Sequence, residues 1–272
     1  MQWLQPSNAL IMKIIKQSVE IIPQCDGHEG MLKHIELCGR VCYKSEDKIS
    51  DKSANSFVEM LKERGHLSVL EHGTVYLRTY SLDVRSTPFA KVFDYARVMN
   101  ETSGYTIATN YRLAYESGLI SNIDDSIVNP PIKRVTARFV LPISISREFI
   151  RHRAFSFSEQ STRYCNYSKD KFGNELTFIE PYWWDSCVDD RLEFLQSCEM
   201  AEKMYLRMIK RGMTPQFARD VLPLCTKTEL VMTGFVDDWK NFFAQRCAES
   251  AHPQARELAT NLKELFKINK LL

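Results

Sequence analysis

The chain reads as an α+β protein in which helices outweigh a modest antiparallel sheet, organised as one domain over residues 1–272 with a region inserted at 80–133. Three observations predict this. Apolar residues recur three and four positions apart in several long segments, they alternate in a few short ones, and no internal repeat or low-complexity tract interrupts the pattern. At 272 residues the chain is long enough to bury a substantial core.

What precedes Met12 reads as an extension, and MKIIKQSVEII, residues 12–22, as an opening strand. GMLKHIELC (30–38) and SANSFVEMLKER (53–64) carry helical spacing, the second closed by Gly65. VLEHGTVYLRTY (69–80) alternates as a strand, with RVTARFVL (134–141) as its expected partner. The insertion between them mixes turn signals, among them TPFAKV and the Asn129, Pro130, Pro131 break, with short ordered pieces, and is expected to be folded but peripheral.

After Pro142, ISISREFIRHR takes helical spacing and ends on R-H-R. RLEFLQSCEMAEKMYLRMIKRG predicts a long helix burying Leu192, Leu195, Cys198, Ala201, Met204, Tyr205 and Met208 and stopping at Gly212. Thr214 and Pro215 open a short helix, TKTELVMT (226–233) is a strand, Asp237 and Asp238 begin another helix, and Pro253 begins the last.

Composition narrows the function. Apolar residues make up 44% and charged residues 26%, the ordinary globular range. A formal charge of +2 provides no broad basic field, which argues against a nucleic-acid binder and makes any anion site local. No stretch approaches the ~20 apolar residues of a membrane span, and the N-terminus lacks a secretory pattern, so a cytoplasmic, membrane-free protein is expected. Eight cysteines without a C-x-x-C pair read as free thiols, and six histidines without H-E-x-x-H give no metal site.

The chemistry concentrates in RHRAFSFSEQSTRY, residues 151–164, with three arginines, a histidine, a glutamate and several hydroxyls directly after an apolar helix. A solvated helix end whose cations complement the macrodipole accounts for such a composition. A guanidinium fork also suits a phosphorylated, planar ligand with carbonyl edges. The spacing favours the ligand. R-H-R, seven residues, then Ser161, continued by Arg163 and Tyr164, resembles the signature of the flavin-dependent thymidylate synthases.

Four more blocks resemble that family in family order: GRVCYKS from residue 39, ERGHLSVLEH at 63–72, FARDVLPLCTKTELVMTG at 217–234, and DWKNFFAQRCAESAHPQARELA at 238–259. The resemblance covers about Met12 to Phe266 apart from the insertion. It implies conversion of dUMP to dTMP with methylenetetrahydrofolate as carbon donor, reduced FAD as hydride donor and NADPH as reductant, in a homotetramer with shared active sites.

Carried over by position, it places Arg151, His152 and Arg153 at FAD, His66 and Ser68 near the cofactor, Glu159 between cofactor and nucleotide, and Asn241 at the flavin. Ser161, Arg163 and Arg219 hold dUMP, the Glu148 to Arg151 turn also touches it, and Arg246 faces the uracil edge, where it stabilises charge developing on the ring. Phe235, Cys42 and Glu148 depart from the residues common in the family. The Pro-Cys-His core of the cysteine-dependent thymidylate synthases is absent, so Cys225 is read as a packing thiol and Ser161 as a ligand-holding hydroxyl. An enzyme acting on a different pyrimidine nucleotide, and a nonenzymatic nucleotide or RNA binder using 151–164 as a basic aromatic patch, are the competing readings.

Overall fold

The computed structural model describes residues 12–80, 95–102, 104–128 and 130–272. The extension before Met12, TPFAKV and Asn129 lie outside them. The described residues form two compact units: 12–18, 140–148 and 161–228 make the first, and those within 19–139, 149–160 and 229–272 the second.

In the first unit, β1 (Lys13–Ile15) pairs in parallel with β8 (Thr177–Ile179). The long helix α5 (Val188–Lys210) packs Cys198 and Tyr205 into a core with Met12, Cys165, Leu176 and Phe178. Of the predicted buried face, Cys198 and Tyr205 are buried and Leu195 and Met208 pack against the same core, whereas Leu192 and Met204 are exposed. Glu202, four residues from Cys198 and three from Tyr205, joins the inward side, and its carboxylate accepts the Leu176 N–H at 2.7 Å. Burial raises the Glu202 pKa while that bond opposes the shift. Gly212, at φ +91°, lets the chain leave the helix through a conformation costly for other residues, and α6 (Pro215–Ala218) follows at once.

The second unit holds the larger core. Helix α1 (Gly27–Tyr43) buries Met31, Leu32, Ile35, Cys38 and Val41, and runs beyond the predicted 30–38 because Val41 continues the apolar spacing. It packs with α2 (Ser53–Glu63), whose Ala54, Phe57, Val58 and Leu61 are buried. The predicted strand 69–80 divides: Leu67–His72 forms a 3-10 turn that buries Val69, Leu70 and His72, and only Thr74–Thr79 is β3.

The partner of β3 is not 134–141. It is β5 (Gly104–Asn110), antiparallel from Thr74↔Asn110 to Thr79↔Tyr105, with β4 (Arg97–Glu101) on the far side of β5. The insertion is therefore structural rather than peripheral. Its Ile107, Tyr111, Ala114 and Leu119 join the core containing Leu61 and Leu77, and Asn110 caps α3 (Tyr111–Glu116) by accepting the Leu113 N–H at 3.0 Å.

A four-stranded sheet runs in the order β2 (Ser18–Ile22), β6 (Arg134–Pro142), β9 (Lys227–Phe235), β7 (Ser156–Glu159), with β7 and β9 antiparallel. The α+β class and its antiparallel pairing thus agree with the sequence, the short parallel β1–β8 pair apart. Helices α7 (Val236–Arg246) and α8 (Pro253–Ile268) complete the unit, both starting where the sequence placed them. Among the described residues, no helix is long and apolar enough to cross a membrane.

Buried polar groups tie this sheet together. His34 Nε2 shares a hydrogen bond with Thr136 Oγ1 (2.8 Å), Thr136 with Thr233 Oγ1 (2.7 Å), Thr233 with His72 Nδ1 (2.7 Å), and His72 Nε2 with Ser158 Oγ (2.9 Å). Burial is the main cause that pulls the two histidines from the usual 6.5 down to about 4 for His34 and about 3 for His72. Both are neutral in the folded chain at neutral pH.

An unfolded chain takes up protons at these two positions below pH 6.5 that the folded chain refuses until much lower pH. Their contribution to stability is therefore complete above pH 6.5 and is lost as pH falls toward 4 and 3. Urea unfolding between pH 7 and 4.5 is expected to show a loss on the order of 2 kcal/mol per histidine, with a smaller slope in His72→Gln. Equal slopes in parent and variant would contradict the neutral assignment.

Candidate functional site

The predicted site residues fall into two groups, each within one unit. In the second unit, R-H-R lies just beyond α4 (Ile143–Phe149) in a tight turn: the His152 N–H bonds the Phe149 carbonyl at 3.0 Å and the Phe155 N–H bonds that of His152 at 3.1 Å. Helix α7 buries Trp239, Phe242 and Phe243, leaving Asn241 and Gln245 on its exposed side and Arg246 as its last residue. The two segments line a cavity of about 210 Å³ bearing Arg151, His152, Arg153, Asn241 and Arg246. Five of the predicted residues thus converge.

The geometry inside this cavity is specific. Arg246 Nε donates to His152 Nε2 at 2.9 Å, so that nitrogen is an acceptor and the proton of the neutral ring sits on Nδ1. Burial, then the charge of Arg246, lowers the His152 pKa to about 4. The imidazole packs edge-to-face on Phe242 at 5.0 Å, and the guanidinium carbon of Arg246 lies 6.0 Å from the Phe149 ring. A neutral acceptor thus orients the fork without cancelling its charge.

His66, Ser68 and Glu159 do not line this cavity. His66 and Ser68 are exposed, with Tyr43 Oη 3.4 Å from His66 Nδ1, and Ser68 lies in the Leu67–His72 turn. Glu159 sits on β7 opposite Leu230.

The first unit gathers Ser161, Thr162, Arg163 and Arg219. Ser161 Oγ accepts the Arg163 N–H at 3.2 Å, Arg163 Nε donates to Gln216 Oε1 at 3.2 Å, and Arg219 Nη1 donates to Thr162 Oγ1 at 3.4 Å. Arg163 and Arg219 are exposed and, among the described residues, neither forms an ion pair. Both are held by neutral oxygens, which leaves their charge to a ligand. Glu148, on α4 in the same unit, is partly buried. Cys225 packs in the apolar cluster of this unit with its sulfur 3.7 Å from that of Cys198, as a packing thiol should.

Of the departures, Phe235 has a structural reason. Its ring is 6% exposed and carries the guanidinium of Arg97, from the insertion, at 4.6 Å. Burial raises the Cys42 thiol pKa. Sequence reasoning missed Arg97, Arg112 and Arg134, which line a second cavity of about 480 Å³ together with Arg153. Their spacing carries no signal, because two come from the insertion and the third from a strand.

In this α+β fold, arginines beside aromatic rings line two adjoining cavities, a donor set whose chemistry suits anionic groups. The chain belongs to the thymidylate synthase complementing protein family, whose model matches residues 106–268. It is similar to the flavin-dependent thymidylate synthase of Corynebacterium diphtheriae, at 23% identity over 86% of this chain and 73% of that protein. A similar relation holds to the flavin-dependent thymidylate synthase of Mycobacterium sp. (strain JLS), at 24% identity over 88% of this chain and 78% of that one. Among solved structures it is similar to the UMP/dUMP methylase PolB from Streptomyces cacaoi bound with 5-Br dUMP, with a TM-score of 0.47, 18% identity, and coverage of 94% and 93% of the two chains.

The His152 assignment has a direct check. An NMR titration of the imidazole is expected to show no protonation between pH 8 and pH 5.5, since its pKa lies at about 4. A midpoint near the unperturbed value of about 6.5 would contradict the acceptor role given to Nε2.

Proposed function

We propose that this chain is a flavin-dependent thymidylate synthase that converts dUMP to dTMP, with methylenetetrahydrofolate as one-carbon donor and NADPH as the source of electrons for FAD. The observation that carries this reading is that the family match over 106–268 contains both the R-H-R turn and Arg246, and that these line one cavity. The donor set there fits the cofactor: arginine forks suit its pyrophosphate, and the Asn241 amide suits the carbonyl and N–H edge of its ring. When bound and reduced, FAD supplies the hydride; the protein supplies binding, orientation and charge.

Each residue then has a task set by its chemistry. Arg163 and Arg219, with the Ser161 hydroxyl, hold the phosphate of dUMP, a charge present before reaction. Arg246 stabilises negative charge that develops on the pyrimidine as its ring is activated, and His152 holds it in place without adding a positive charge of its own. Arg151, Arg153, His66, Ser68 and Glu159 complete the cofactor side, and Glu148 the nucleotide side. A homotetramer with shared sites fits the same physics. The site arginines are too many to converge dry in one protomer, and sharing them lets each chain fold with its cations hydrated until anionic ligands neutralise them.

These roles separate in measurement. Arg163→Ala and Arg219→Ala are each expected to weaken dUMP binding by roughly 10- to 100-fold, the value of about 1.5–3 kcal/mol for a charge-assisted contact. Arg246→Ala is expected to bind dUMP within about threefold of the parent yet oxidise reduced flavin slowly in a single turnover, since its interaction strengthens only in the transition state. A normal oxidation rate in the Arg246 variant would remove its role.

A further inference from the structure

The cavity of about 480 Å³ lies wholly within the second unit, and of the residues assigned above only Arg153 lines it. Its walls carry the guanidiniums of Arg97, Arg112, Arg134 and Arg153 and the carboxylates of Glu71, Glu116 and Asp238. The carboxylates are already engaged. Asp238 accepts from Arg97 at 3.2 Å, and Arg112 reaches Glu71 at 2.8 Å and Glu116 at 3.2 Å. Among the described residues, Arg134 and Arg153 form no ion pair.

Arg134 is the informative one. On β6 it is partly buried, and it donates only to neutral groups, the Glu71 carbonyl at 2.9 Å and the Ser156 hydroxyl at 3.2 Å. A guanidinium has five N–H donors, so these two bonds leave capacity for a ligand. Burial pulls its pKa down to about 10, and the nearby Glu71 and Asp238 carboxylates only partly oppose the shift. Phe235 lies against both Arg97 and Arg134, with guanidinium carbons 4.6 and 5.6 Å from the ring centre, so planar apolar surface borders the cations.

We propose that this cavity is a phosphate site in which a phosphate ester enters against Arg134 and Arg153, while Arg97 and Arg112, contributed by the insertion and braced by Asp238 and Glu71, form its walls. Two uncompensated forks offer more parallel N–H pairs than a single carboxylate can accept, and several phosphate oxygens match them. Arg153, Ala154, Phe155 and Asp238 line this cavity and the 210 Å³ cavity alike, so the two adjoin at these residues. A ligand that spans both would place its ring near Asn241 and Arg246 and a phosphate here. The site itself stands on its own residues; which ligand supplies the phosphate, the pyrophosphate of FAD or the additional phosphate of NADPH, rests on the function proposed above.

The test uses the full-length protein. In preparations stripped of flavin, inorganic pyrophosphate is expected to shield Arg134 and Arg153 from phenylglyoxal, mapped by peptide mass spectrometry. Arg134→Gln keeps amide donors near Glu71 and Ser156 but removes the charge. If FAD supplies the phosphate, this variant binds FAD at least tenfold more weakly; if NADPH does, it loses the preference for NADPH over NADH with FAD affinity unchanged. Equal labelling with and without pyrophosphate overturns the site, as does a variant with the parent's circular dichroism spectrum and unchanged handling of both ligands. A protein that binds no flavin yet shows pyrophosphate shielding would sink the proposed function and leave the phosphate site standing.

Discussion

A guanidinium aimed into a cavity is only as well placed as the stem that carries it, and in the second unit that stem is aromatic. Phe149, Phe155, Trp239 and Phe242 meet edge-to-face, with Phe155–Trp239 at 4.5 Å and Phe149–Phe242 at 5.0 Å, above Phe139 on β6. This cluster holds the turn carrying R-H-R to the helix carrying Asn241 and Arg246, so the His152–Arg246 bond is made between two anchored segments. Each large aromatic side chain lost from such a core costs about 3–5 kcal/mol, far more than the single hydrogen bond it positions. Gly234 belongs to the same arrangement, since a side chain there would begin 2.5 Å from the Phe155 ring.

Beneath the site, the polar interior of the sheet is arranged so that charge is either absent or matched. The His34, Thr136, Thr233, His72 and Ser158 chain stays neutral. At its other flank Glu229, 3% exposed, is clasped by Arg138 and Lys44, with Glu46 also bonded to both cations. The arginines proposed to bind ligands are treated differently. Among the described residues, Arg163, Arg219 and Arg134 rest on neutral hydrogen-bond acceptors, which fixes their direction and leaves their charge unmatched by a carboxylate.

Much of this was legible in the sequence because it is local. Pro253, Pro215 and the Asp237, Asp238 pair mark helix starts by the backbone groups they leave free or satisfy, and the type and spacing of R-H-R single out a segment that lines a cavity with Asn241 and Arg246. What was not legible depends on distant partners. Alternation shows that 74–79 is a strand but not that it pairs with 104–110 rather than 134–141, and the same silence hid Arg97 and Arg112, which the insertion delivers to the larger cavity. Helical spacing gave α5 its length and much of its inward face, but not Glu202, which turns inward through its bond to the Leu176 backbone.

The central claim is that these arginines serve a reaction in which a flavin, rather than a cysteine, completes methyl formation on dUMP. The most direct measurement is to give the purified protein dUMP, methylenetetrahydrofolate, FAD and NADPH under anaerobic conditions and to follow the nucleotide by mass spectrometry. The account predicts dTMP formed in proportion to NADPH oxidised, dependent on FAD and undiminished when Cys225 is replaced by alanine. Flavin-loaded protein that leaves dUMP unchanged, or dTMP formed equally well without flavin, would contradict it.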